Sequence, residues 1–129
     1  MKLKRVHHIA VICSDYDKSK AFYTDILGLE VIREVYRKER NSYKLDLALN
    51  GAYLIELFSF PGPPKRLSYP EAAGLRHLAF GVEDIDLAIQ ELNIKGIHTE
   101  PMRIDPYTGR KCTFFSDPDG LPLELYEEL

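Results

Sequence analysis

The chain repeats itself. HIAVICSDYDKSKAFYTDILGLEV begins at His8, and HLAFGVEDIDLAIQELNIKGIHT begins at His77. Laid on the histidines, Ala10 meets Ala79, Asp15 meets Asp84 and Asp17 meets Asp86, and each stretch exits through a glycine, Gly28 or Gly96. Further on, LALNGAYLIELF runs beside FFSDPDGLPLELY, with Gly51 against Gly120 and Glu56 against Glu124. The offset is 69 residues for five of these pairings and 68 for Gly28/Gly96 and Glu56/Glu124, so one residue is gained or lost between copies. In a chain of 129 residues this leaves room for two copies of one supersecondary unit and little else.

Each copy reads as βαβββ. His8 to Cys13 is short and β-rich. Ser14-Asp15-Tyr16-Asp17 offers helix caps, with Asp17 well placed as the N-cap, and Ala21, Phe22, Ile26 and Leu29 recur at helical spacing before Gly28. Strands are expected over Glu30 to Arg37, Tyr43 to Leu49 and Ala52 to Phe60, with a hairpin turn at Asn50-Gly51. In the second copy Asp86 to Asn93 is helical, and strands over Lys111 to Ser116 and Pro122 to Glu127 flank the turn Asp117-Pro118-Asp119-Gly120. The proline-rich stretch 61–74 connects modules 1–60 and 75–129, with a short helical turn near Glu71. The expected fold is α+β: two βαβββ modules forming an open, curved, eight-stranded mixed sheet around a cleft, one compact structural domain.

Composition narrows the function classes. A hydrophobic fraction of 45% with 29% charged residues fits a packed globular chain. The net charge of −3 argues against nucleic acid as a partner, and the basic run Arg33 to Arg40, broken by Glu34 and Glu39, reads as a solvated strand face. No apolar run approaches the ~20 residues that span a bilayer. The apolar stretch Ile9 to Cys13 is too short for a signal peptide, so a cytoplasmic location is expected. Cys13 and Cys112 are too few for a disulfide framework and are read as reduced thiols.

Four residues carry the chemistry: His8 and His77 at the first strand of each copy, Glu56 and Glu124 in the last. By strand alternation Glu56 shares a face with Leu54 and Phe58, and Glu124 with Pro122 and Tyr126. A lone carboxylate in such apolar surroundings is costly unless paired or metal-bound. Singly, a strand glutamate is usually a surface residue and a strand histidine a hydrogen-bonded one; the repeat raises the weight of the set. Two imidazoles and two carboxylates make a mixed site suited to one divalent ion of Zn, Ni, Co, Fe or Mn. His7, adjacent to His8 and on the opposite strand face, is the competing ligand; His98, without a counterpart, reads as a surface residue.

The segments VHHIAVICSDYDKSKAFYTDILGLEV, YLIELF, GLRHLAFGVEDID and FFSDPDGLPLELYE resemble the vicinal-oxygen-chelate superfamily of glyoxalase I, bleomycin-resistance and extradiol dioxygenase proteins. The likeness covers nearly the whole chain and is strongest to short bacterial glyoxalase I-like proteins. It implies a dioxygenase-like fold with His8, Glu56, His77 and Glu124 as metal ligands, since that family draws one His and one Glu from each module. Ring-cleaving relatives use two His and one Glu, so the carboxylate at Glu56 points to glyoxalase-like or epimerase-like chemistry. The resemblance implies a lyase or isomerase acting on a thiol adduct of a 2-oxoaldehyde, or a similar vicinal-oxygen substrate, through an enediolate. Glu124 is the favoured proton-transferring base, with Glu56 as the symmetric alternative.

Two positions depart from the resemblance. Bacterial glyoxalase I enzymes carry an Arg four residues after the first ligand and an Asn four residues after the first Glu; here these are Ile12 and Phe60. Glutathione as the thiol is thereby put in question. Tyr107-Thr108-Gly109-Arg110-Lys111 is either an anion-recognition segment or an ordinary β-turn with solvated charges. Competing functions are a 2-substituted acyl-thioester epimerase and a non-catalytic drug-binding module. The expected partners are a small-molecule substrate and a second copy in a homodimer, because an eight-stranded cup leaves strand edges to cover. The metal is then bound within one chain or between two; neither nucleic acid nor membrane is expected to bind.

Overall fold

The computed structural model describes residues 1–129, and the chain divides into two compact units, Met1–Lys65 and Arg66–Leu129. The first runs β1 (Ile9–Cys13), α1 (Tyr16–Ala21), a π-helical turn (Phe22–Ile26), β2 (Glu30–Arg37), a 3-10 turn (Lys38–Arg40), β3 (Ser42–Leu49) and β4 (Ala52–Ser59). The second runs β5 (Leu78–Val82), α2 (Ile85–Ile94), β6 (Arg103–Ile104), β7 (Lys111–Ser116) and β8 (Pro122–Glu127). The eight strands fall into two four-stranded mixed sheets of the same topology, β1-β4-β3-β2 and β5-β8-β7-β6. In each, the first strand lies parallel to the last and the remaining pairs are antiparallel. The architecture is α+β, as the βαβββ repeat predicts.

Alternation separates two faces in each sheet. In β4, Ile55 and Leu57 are fully buried and join Leu45, Leu47, Val11 and Cys13 in the core of the first unit, where Phe22 and Tyr23 lie. In β8, Leu123 and Leu125 do the same, in a core that includes Phe115, Ile85 and Leu92. Each such aliphatic side chain contributes on the order of 1.5–3 kcal/mol by leaving water. Glu56 and Glu124 fall between these residues and so are turned to the other face. Asn50 (φ 50°) and Gly51 (φ 80°) are both left-handed, the backbone that a tight β3–β4 hairpin requires.

The helices differ from the sequence expectation in detail. Asp15, not Asp17, caps α1: its backbone is extended and its Oδ1 accepts from the Lys18 N–H at 3.2 Å. Asp84, its repeat partner, caps α2 in the same way through Leu87 N–H at 3.0 Å, so α2 starts at Ile85. Past Ala21 the helix widens, with the Leu27 N–H bonded to the Phe22 carbonyl at 3.0 Å. The widened turn leaves the neighbours Phe22 and Tyr23 both buried while Ala21 is exposed, which a uniform helical period does not anticipate. Near Glu71 there is a hydrogen-bonded-turn geometry over 68–71 rather than a helix. No helix is long and apolar enough to cross a membrane.

Candidate metal centre

The parallel ladders explain why each histidine meets its glutamate. Ala10 is the register partner of Glu56, and Ala79 that of Glu124. His8 and His77 stand two residues before these alanines, just ahead of β1 and β5. A side chain at i−2 shares the face of residue i, and an alanine methyl leaves the space between ring and carboxylate open. The outcome is His8 Nε2 at 3.8 Å from Glu56 Oε1, and His77 Nε2 at 3.0 Å from Glu124 Oε2. Both glutamates are largely shielded, with side-chain exposures of 15% and 13%.

The two pairs have different surroundings. Glu56 does not lie in an apolar setting: its face of the first sheet carries Lys44 and Asp46, brought opposite by the β3–β4 register. Lys44 Nζ is 3.4 Å from Glu56 Oε2, and the Tyr53 hydroxyl donates to the same oxygen at 3.1 Å. Burial pushes the Asp46 carboxyl up, but hydrogen bonds from Lys44, Tyr53 and Arg33 outweigh it and hold it below the usual carboxylate range. Burial and the adjoining carboxylates of Asp46 and Glu56 push the Tyr53 phenol up. His7 remains beside the site: its Nδ1 lies 2.8 Å from His8 Nδ1, and both rings approach Tyr53.

The setting of Glu124 is less cationic, its ion pair being with His77. Its neighbours across the β7–β8 register are Phe114 and, diagonally, Cys112, whose thiol is pushed up by burial and by the nearby Glu124 charge. His77 meets the Phe114 ring edge-on at 5.2 Å. Beside them is a hollow of about 60 Å³, with His77, Phe114 and Pro122 on its wall and Arg76, Arg103, Glu71 and Glu100 around it. Arg103 pairs with Glu100 at 2.6 Å and lies over the Phe114 ring at 5.5 Å.

The fold thus assembles two His–Glu pairs, one inside each unit, and no set of three or more His, Cys, Asp or Glu is gathered into a metal-holding group. The donor chemistry of each pair suits a divalent ion. Two donors about 2.1 Å from one tetrahedral ion lie about 3.4 Å apart, and the His77–Glu124 pair at 3.0 Å is closer than that. The His8–Glu56 pair is wider.

Lys44, Asp46, Tyr53 and Arg103 escape sequence inspection, because only strand register places them beside the repeat residues. A turn over 106–108 precedes β7: Asp105 accepts from the Tyr107 N–H and the Tyr126 hydroxyl, and Lys111, the first residue of β7, is paired with Asp86 at 2.8 Å. Cys13 and Cys112 are buried and form no disulfide, and His98 is exposed.

Comparison with known proteins agrees with this architecture. The model of the Glyoxalase/Bleomycin resistance protein/Dioxygenase superfamily matches residues 5–125. The chain is 69% identical over 128 residues to YwkD of Bacillus subtilis (strain 168), an uncharacterized protein, covering 99% of this chain and 100% of that one. It is 34% identical over 128 residues to a probable lactoylglutathione lyase of Synechocystis sp., covering 93% and 92% respectively. The crystal structure of a glyoxalase family protein from Enterococcus faecalis superimposes with a TM-score of 0.91 at 55% identity, covering 98% of this chain and all of that one. The chain belongs to the glyoxalase/bleomycin resistance protein/dioxygenase superfamily.

Proposed function

We propose that this chain is a metal-dependent lyase or isomerase of the glyoxalase type, acting on a thiol adduct of a 2-oxoaldehyde or a similar vicinal-oxygen substrate. The observation that carries the reading is the equivalence of the two His–Glu pairs, each built on the same alanine register in its own module. A full site takes one pair from each module, His8 with Glu56 and His77 with Glu124, from one chain or from two copies. When bound, a divalent ion supplies Lewis-acid polarisation of two neighbouring substrate oxygens and so lowers the cost of an enediolate.

The two glutamates are suited to different tasks. Glu56 is fixed by Tyr53 and Lys44, which fits a positioning ligand. Glu124, against Phe114 and the Cys112 thiol, has fewer strong donors holding it, which fits the group that moves a proton between adjacent carbons. The likeness to a probable lactoylglutathione lyase supports the reaction class. Ile12 and Phe60 favour a thiol other than glutathione. The exposed apolar residues Val31, Ile32, Val35 and Tyr36 on the edge strand β2 favour a homodimer.

The test is turnover of methylglyoxal with a panel of thiols, using protein loaded in turn with Zn, Ni, Co, Fe and Mn. Glu124→Gln is expected to lower the rate by about 100-fold or more while metal content changes little. Absence of turnover with every thiol and metal would remove the lyase reading.

A further inference from the structure

We propose that the Glu56 face of the first sheet continues into a binding site for an elongated organic acid, with an apolar body over Ile12 and Phe58 and a terminal carboxylate or phosphate held by Arg37 and Arg40. This deepens the reading above by naming a substrate class, and it rests on that reading only for what happens at the Glu56 end.

Glu56, Phe58 and Phe60 follow one another at every second residue, so they line one side of the chain as it leaves β4. The Phe58 and Phe60 rings stack at 5.8 Å with an interplanar angle of 18°. At roughly 3.3 Å per residue, Phe60 stands about 13 Å from Glu56 along the strand direction. Across the ladder the register partner of Phe58 is Ile12, a large aliphatic side chain left 54% exposed. An apolar floor therefore begins one step from the carboxylate and runs outward.

Two guanidinium groups stand against its aromatic rings. Arg37, the last residue of β2, holds its Cζ 4.7 Å from the centre of the Phe58 ring and 5.6 Å from that of Phe60. Arg40, in the turn that follows, lies 5.5 Å from the Phe60 ring. Other cations nearby are paired: Arg33 and Lys44 of the sheet with Asp46, and Lys20 of α1 with Glu34. No carboxylate comes within 4.0 Å of Arg37 or Arg40. Arg37 Nη2 donates to the buried Ser42 hydroxyl at 2.9 Å, which fixes the plane of the group, while its Nε is buried without a hydrogen-bond partner. A planar cation oriented by aromatic faces and one hydroxyl, with donors left over and no anion beside it, is the arrangement that a planar oxyanion completes.

Reach and charge together define the ligand. Its acid group meets the arginines, its body is aromatic or aliphatic rather than peptidic, and its other end reaches the Glu56 region about 10 Å away. Biphenyl-4-carboxylate has this length and chemistry and serves as the probe, with biphenyl-4-carboxamide as the neutral match and inorganic phosphate as the anion without a body.

Titration by isothermal calorimetry of the full chain is expected to give one saturable site for the carboxylate and about tenfold or more weaker binding of the carboxamide and of inorganic phosphate. Arg37→Gln and Arg40→Gln should each weaken the carboxylate by about tenfold and leave the carboxamide unchanged. Arg40 is exposed, so Arg40→Gln is the variant to rely on should Arg37→Gln unfold. Equal affinity for carboxylate and carboxamide, an unaffected Arg40→Gln variant, or phosphate binding as tightly as the carboxylate would overturn the proposal. Metal content is measured on the same samples. Its loss from the wild-type chain would count against the metal reading without touching this result, and intact metal with no carboxylate binding would do the reverse.

Discussion

Ala10 and Ala79 are small, exposed and chemically inert, yet the approach of each histidine to its glutamate depends on their size. They are the register partners of Glu56 and Glu124, and anything larger than a methyl group stands between the carboxylate and its histidine. Ala79→Leu should therefore weaken metal binding roughly tenfold or more, as supporting-residue changes do, while the melting temperature changes little. Competition with a chelating dye reads the affinity. Away from the site, hydrogen bonds from Lys20 and then Tyr16 hold the Glu34 carboxyl below its ordinary range. A depressed carboxyl contributes stability that is present above its unfolded pKa and lost as the pH falls through the folded value. Glu34→Gln is expected to cost at most about 1 kcal/mol at pH 7, since the pair is partly exposed. The difference in melting temperature from the wild type should shrink towards pH 3. At this scale the four repeat residues were legible because equal offsets mark them. Lys44, Asp46 and Tyr53 were not, because a cross-strand neighbour depends on register, which a single strand's sequence does not state.

Elements were read mostly from alternation and turn chemistry, and β2, β4, β7 and β8 lie within a residue of where those signals put them. The ends of α1 were less accessible. Ser14, Asp15 and Asp17 all have capping side chains, and the choice falls to the one whose oxygen meets a free N–H three residues on. Asp15→Ala should cost about 1 kcal/mol and Asp17→Ala a few tenths at most, measured by urea denaturation. The reverse order would return the cap to Asp17. β6, two residues long, carries no period to read, and the π-helical turn breaks the one that α1 begins. The core-facing half of the alternation gives a further check. Ile55→Ala, at a fully buried position between β1 and β3, should destabilise by about 2–5 kcal/mol.

At the scale of the whole molecule, the chain is one βαβββ unit written twice, and each copy delivers a histidine and a glutamate to the same place in its own sheet. Duplication accounts for the twofold pattern, while the neighbours differ between the copies, cationic around Glu56 and aromatic around Glu124. The fold was legible because a repeat constrains both halves at once, whereas the approach of Arg37 to Phe58 and Phe60 was not, since it arises only on folding. We propose that both pairs serve one ion. Elemental analysis of the purified chain and of His8→Ala and His77→Ala tests it directly. The account predicts about one divalent ion per chain in the wild type and its loss in both variants, because each removes one of four ligands. Full metal content in either variant, or a wild-type chain that takes up no divalent ion when Zn, Ni, Co, Fe and Mn are offered, would contradict it.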